Sequence, residues 1–133
     1  MKKLIEEIEK QVLLEGYTHY WEHDGFDDST WDKLKREAKT IIQKAIRDGV
    51  ELAGPFGDGK PQITSYEIAL NGAGKDSYET FRLTKSPQEF EFTKTAQRPY
   101  DPVVVSILAA AKKLNKSFKP RSDGGPGAIK RIY

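Results

Sequence analysis

The spacing of apolar and polar residues divides the chain into helical and strand-like stretches. From Lys2 to Leu14, Leu4, Ile5, Ile8 and Val12 fall on one stripe with Glu6, Glu7, Glu9 and Lys10 opposite, an amphipathic helix that Gly16 ends. Ser29 and Asp32 resemble a capping box. From there to Asp48, Trp31, Leu34, Ala38, Ile41, Ile42, Ala45 and Ile46 predict a longer helix with a broad apolar face, stopped by Gly49. Beyond Pro61 the period changes to two. Ile63 to Leu70 sets Tyr66, Ile68 and Leu70 on one face, Asn71 to Asp76 is a turn, and Tyr78 to Lys85 is a second strand. Lys85-Ser86-Pro87-Gln88 turns into a third, where Phe90 and Phe92 alternate with Glu89, Glu91 and Thr93.

Lys94 to Tyr100 then turns the chain into a last helix. Asp101 reads as its N-cap, Pro102 as its first helical residue, and Val103 to Leu114 as its body, closing in a lysine-rich turn. Ser117 to Gly127 is a loop rich in proline and glycine, and Ala128 to Tyr133 a candidate fourth, edge strand. The expected fold is a single α+β domain over residues 1–133. An antiparallel meander of about three strands packs against two N-terminal helices and one C-terminal helix, because a lone meander leaves its apolar face wet.

Composition sharpens this. The chain has 133 residues, 37% hydrophobic and 32% charged, long enough to bury one core under a heavily charged surface. It has no cysteine, which removes disulfides, thiolate metal sites and thiol nucleophiles. No apolar run approaches the ~20 residues of a membrane span, and Met1 to Glu7 lacks the apolar core of a signal peptide. A cytoplasmic protein with no membrane partner is expected. The net charge of +2 hides an asymmetry. Residues 1–60 carry 10 Lys/Arg against 13 Asp/Glu, residues 61–93 carry 3 against 5, and residues 94–133 carry 9 against 2. A basic C-terminal third on an acidic body points to an anionic partner for that third, or to a helix face kept soluble by its lysines.

Three stretches invite chemistry. In Tyr17 to Asp28, aromatic residues interleave with His19, Glu22, His23, Asp24, Asp27 and Asp28. Imidazole and carboxylate suit a metal, but the chain has only two histidines and the segment shows no helical phase to gather them. The aromatics are therefore read as packing onto the domain, and no metal or cofactor is assigned. Ala53 to Lys60 holds three glycines and a lysine, yet Pro61 stands where a phosphate loop needs a hydroxyl residue, so the stretch is read as a flexible connector. The most compact polar motif is the corner Lys94-Thr95-Ala96-Gln97-Arg98-Pro99-Tyr100-Asp101.

The succession Leu70-Asn71-Gly72, Tyr78-Glu79-Thr80-Phe81, Phe92-Thr93-Lys94-Thr95-Ala96, Pro99-Tyr100-Asp101 and Ser122-Asp123-Gly124 resembles a group of small phage- and prophage-encoded proteins of uncharacterised function. They share an N-G turn, an E-T-F strand, a K-T-A-x-x-P-Y-D corner and a late S-D-G. The likeness covers residues 68–125. In that group an arginine or lysine usually precedes the residue before the proline, whereas here Gln97 and Arg98 occupy the corner. The resemblance implies a phage setting, hence a host-cell cytoplasm, and a focal site, but no reaction.

At that corner, Lys94, Thr95 and Arg98 offer two cations and a hydroxyl beside a helix start, where free N–H groups favour anions. Arg98 can hold a phosphate bidentately, Tyr100 can stack on a base, and Arg121, Ser122 and Asp123 can close over the ligand, with Asp123 on a ribose hydroxyl. The competing reading is a structural cluster in which Lys94 and Arg98 neutralise Asp101 and Asp123. No nucleophile–base pair has recognisable spacing, and Glu79 and Glu91 read as ordinary strand glutamates, so the expectation leans away from an enzyme. The leading reading is a phage accessory protein that binds a nucleotide-like anion or a host protein, as in counter-defence or host takeover. The first alternative is a nucleic-acid binder using Lys112, Lys113, Lys116, Lys119, Arg121, Lys130 and Arg131 as a phosphate strip, with affinity falling steeply with salt. The second is a hydrolase with a carboxylate-bound metal. Oligomeric state is not legible.

Overall fold

The computed structural model describes residues 17–133, so the helix read over Lys2 to Leu14 lies outside the described residues. Among the described residues, strand β1 (Thr18–His23) comes first, followed by helix α1 (Asp28–Arg47), the short strands β2 (Leu52–Ala53) and β3 (Gln62–Ile63), and strand β4 (Glu67–Gly72). A 3-10 turn (Gly74–Asp76), β5 (Phe81–Thr84), β6 (Gln88–Lys94), α2 (Asp101–Leu114) and β7 (Lys119–Ser122) complete it.

The α+β class stands, but the meander does not. The strands form two antiparallel sheets, one of three strands in the order β6-β1-β7 and one in which β4 pairs with β2, β3 and β5. β5 and β6 are joined by the expected turn, yet they leave it into different sheets: β5 pairs with β4, and β6 pairs with β1. β3 and β5 both pair with Ile68 and Ala69, so they lie on opposite edges of β4. The predicted strand Ile63 to Leu70 is broken in its middle. The Thr64 hydroxyl accepts from Glu67 N (3.0 Å) and Tyr66 N (3.3 Å), and Thr64 N donates to Glu67 O, so a tight turn interrupts the alternation. The connector over residues 53–60 is held by a bond from Gly54 N to Asp58 O at 2.8 Å. Ala128 to Tyr133 forms no strand; the last strand is β7, which starts nine residues before Ala128, inside the stretch read as a loop.

Local chemistry explains the boundaries. α1 is capped not by Ser29 but by Asp27, whose extended backbone lets its side chain accept from Thr30 N at 2.7 Å. That bond holds the Asp27 carboxyl below its ordinary pKa. Asp32 instead pairs with Lys35. At the far end Gly49 has φ 91°, and bonds from Gly49 N to Ile46 O and from Val50 N to Ala45 O close a Schellman motif. Trp31, Leu34, Ala38, Ile41, Ile42 and Ala45 are buried as their spacing requires, while Ile46 is exposed.

α2 is the more deeply buried helix. Val103, Val104, Val105, Ile107, Leu108, Ala110 and Ala111 are all buried, on every side of the axis, and α2 packs chiefly on α1. Buried Ser106 donates to Pro102 O and accepts from Ile132 N and Tyr133 N, which seats the C-terminal residues on this helix. One core runs from Trp21 and Phe118 under the first sheet through α2 and α1 to Ile68, Leu70, Phe81 and Leu83 of the second. Gly72 sits where that second sheet meets the corner. A Cβ there would lie 2.3 Å from Asp76 O and 3.1 Å from the Tyr100 ring, so only glycine fits.

Candidate nucleic-acid interface and the buried relay behind it

β1 is central to the first sheet, and its side chains alternate between two very different faces. His19, Trp21 and His23 point inward and are buried; Tyr20 and Glu22 alternate with them. Register sets Tyr20 opposite Phe92 on one side and opposite Arg121 on the other. The outer face therefore carries a contiguous aromatic group. Tyr20 lies 6.0 Å from Phe90 and 6.5 Å from Phe92, centroid to centroid, and Phe90 lies 6.1 Å from Phe92. The Arg121 guanidinium stands over the Tyr20 ring at 5.4 Å. Phe90 is 60% exposed and Phe92 42%, an unusual state for two neighbouring phenylalanines on a strand. Lys94, Lys119 and Arg121 are exposed at the ends of the flanking strands. The acidic residues nearest this face in sequence are Glu22, which pairs with Lys119 across the strands, and Glu89 and Glu91, which flank Phe90.

The inner face is closed by polar bonding. His19 Nε2 lies 2.6 Å from Asp101 Oδ1, and His19 Nδ1 lies 2.9 Å from Ser122 Oγ. Thr95 Oγ1 donates to the same Asp101 oxygen, and Gly124 N donates to Ser122 Oγ at 3.0 Å. Since a carboxylate only accepts, His19 carries a proton on Nε2, and in the neutral ring Nδ1 accepts from the Ser122 hydroxyl. Asp123 Oδ2 accepts from Thr18 N at 3.1 Å. Thr93, paired with His19 across the strands, buries an Oγ1 that has no hydrogen-bond partner among the described residues.

This network revises the expected corner. Asp101 is not the N-cap: Tyr100 holds that position in helical geometry without a side-chain cap, and Asp101 lies in the first turn, where its charge suits the helix dipole. The Asp101 carboxylate is satisfied by His19 and Thr95 rather than by Lys94 or Arg98, so neither the open anion site nor the expected ion-pair cluster forms around it. Tyr100 cannot stack on a base. It is fully buried, and its hydroxyl donates to Glu79 O at 2.6 Å. Burial, with the charges of Glu79 and Asp101, pushes that phenol above its ordinary pKa and keeps it a donor. Thr95 is buried, Arg98 lies 5.6 Å from the Tyr78 ring, and Asp123 accepts from Thr18 N through Oδ2 while remaining exposed at the cleft that Ser122 lines. The corner turns through Ala96 and Gln97, both left-handed at φ 51° and 52°, a conformation that costs about 1–2 kcal/mol per residue. Bonds from Thr95 N and Ala96 N to Tyr17 O help hold it.

Of the expected phosphate strip, Lys119 and Arg121 lie on β7, and Lys112 lines the same cleft as Arg121. Arg131 is instead paired with Glu37 at 2.5 Å. Lys113, Lys116 and Lys130 are exposed. His23 and His19 share the inner face, but His23 Nε2 meets Gln88 Oε1 and its Nδ1 accepts from Gly25 N. Burial lowers the His23 pKa, only partly offset by the Gln88 bond. Among the described residues no group of three or more His, Asp or Glu side chains is arranged to hold a metal ion. The aromatic outer face was missed because aromatic and charged residues occupy both faces of β1, which erases the apolar–polar alternation. Its one legible signal was Phe90 and Phe92 at period two. No family model matches the chain, and neither the curated proteins nor the solved structures give a match.

Proposed function

We propose that this protein binds single-stranded nucleic acid on the outer face of its three-stranded sheet. The observation that carries the reading is the contiguous Tyr20, Phe90 and Phe92 group, solvent-facing on an open antiparallel sheet, with Arg121 over one ring. Aromatic rings on a sheet accept unstacked bases, each worth about 1–3 kcal/mol, while cations beside them take the phosphates. Lys94, Lys119 and Arg121 supply those cations. A duplex hides its base faces and fits such a surface poorly. This commits the nucleotide-like anion expected from the sequence to a polymer and moves its site from the corner to the sheet. The phage accessory setting rests on the resemblance over residues 68–125 and is part of the same proposal.

Fluorescence anisotropy with labelled single-stranded and duplex oligonucleotides of one sequence tests it. Single strands should bind more tightly. The log–log salt slope should be about −2, from roughly −0.7 per contact over three cations. Phe90→Ala should weaken binding by about 1–3 kcal/mol. Absence of binding to any single strand at low salt would overturn the reading and make a protein partner the better occupant of the aromatic face.

A further inference from the structure

We propose that Ser122 is a nucleophilic serine, activated by His19 as general base with Asp101 as its orienting carboxylate, in a cleft that shares Tyr20 and Arg121 with the aromatic face. The three residues come from β7, β1 and the first turn of α2, and only the fold assembles them. Their geometry is that of a hydroxyl–imidazole–carboxylate relay, with Oγ to Nδ1 at 2.9 Å and Nε2 to Oδ1 at 2.6 Å. The carboxylate requires a proton on Nε2, and in the neutral ring this leaves Nδ1 as a base facing the serine hydroxyl. Thr95 fixes the carboxylate as a further orienting group. The relay is closed to water at its base and open at its tip. His19 is fully buried, whereas Ser122 is half-buried and lines a cleft of about 540 Å³ with Lys112, Arg121 and Ile129. The Gly124 N–H donates to Oγ itself at 3.0 Å and so fixes the position of the hydroxyl.

The substrate class is a small carboxylic ester bearing an anionic group, which Lys112 and Arg121 would face. Ser122 Oγ adds to the ester carbonyl carbon as its proton passes to His19 Nδ1. The carbonyl–alkoxy bond then breaks, and Nδ1 returns the proton to the departing oxygen, releasing an alcohol. Water adds to the acyl-serine, giving its proton to Nδ1. The Oγ–acyl bond breaks, Oγ regains the proton, and the carboxylic acid leaves. Asp101 stays ionised throughout and stabilises the imidazolium.

The test uses the full chain and a fluorophosphonate probe, which phosphonylates activated serines with loss of fluoride, read by intact mass and peptide mapping. One adduct should form, on Ser122. It should form on the order of 10²–10⁴-fold faster than on the same serine in urea-unfolded chain, the range of general-base assistance. Ser122→Ala, confirmed as folded by circular dichroism, should take no adduct. Asp101→Asn, if it stays folded by circular dichroism, should slow labelling at least tenfold. Ser122 labelling no faster in folded than in unfolded chain, or an adduct confined to Tyr17, whose hydroxyl lies close to Gly124, would overturn the proposal. Serine labelling and oligonucleotide binding are separate readouts, so the two proposals fail independently.

Discussion

The two faces of β1 are built from similar residue types and do opposite things. Inward, His19, Trp21 and His23 have every polar group engaged: His19 with Asp101 and Ser122, Trp21 Nε1 with Gln88 Oε1, and His23 with Gln88 and Gly25. Outward, Tyr20, Phe90 and Phe92 touch one another and solvent. Residue type does not say which face is which; partnering does. Aromatic and imidazole groups whose bonds close within the fold stabilise it, and those left open are available to a ligand.

Substitutions separate the faces. The largest effect belongs to Trp21→Ala, which removes a buried indole and should destabilise by about 3–5 kcal/mol in urea unfolding. Asp101→Ala leaves His19 and Thr95 without their acceptor and should cost about 2–3 kcal/mol. A smaller loss at His23 depends on pH. Its folded pKa lies below its unfolded value near 6.5, so the unfolded chain binds more protons between the two. Its stabilising contribution is full above pH ~6.5 and is lost as pH falls from there through the folded pKa. Melting curves from pH 7.5 to 5 should show a decline that His23→Gln reduces. Thr93→Val, which exchanges an unpartnered buried hydroxyl for a methyl group, should stabilise by about 1 kcal/mol. The smallest effect on stability is outward: Phe92→Ala should change it by no more than about 0.5 kcal/mol, while binding of a single strand falls.

How much of this was legible in the sequence follows from what each signal needs. α1 was readable because its apolar face and Gly49 are local; only its cap moved, from Ser29 to Asp27. α2 was readable in extent, although its burial on all sides was not. The split between sheets was hidden, because the turn joining β5 to β6 looks the same whether it closes a hairpin or passes between sheets. β1 was invisible because both of its faces carry aromatic and polar residues. β7 was masked by Pro120, which an edge strand accepts where no ladder N–H is needed. Among the candidate residues, Lys119 and Arg121 are exposed on β7, where their chemistry is legible in the sequence but their place beside Tyr20 is not. Tyr100 and Thr95 were singled out for their chemistry, but burial turned both inward. The Ser122–His19–Asp101 relay joins residues 82 and 103 positions apart, a separation that no motif spacing could have shown.

The central proposal is that the outer face of the first sheet binds single-stranded nucleic acid. The most direct test is to titrate isotopically labelled protein with a short single-stranded oligonucleotide and follow its backbone amide resonances. The account predicts shifts concentrated in β1, β6 and β7, centred on Tyr20, Phe90, Phe92 and Arg121, with the α1 amides unmoved. Shifts centred on α1 and the β2–β3 edge, or no shifts at concentrations where anisotropy reports binding, would contradict it.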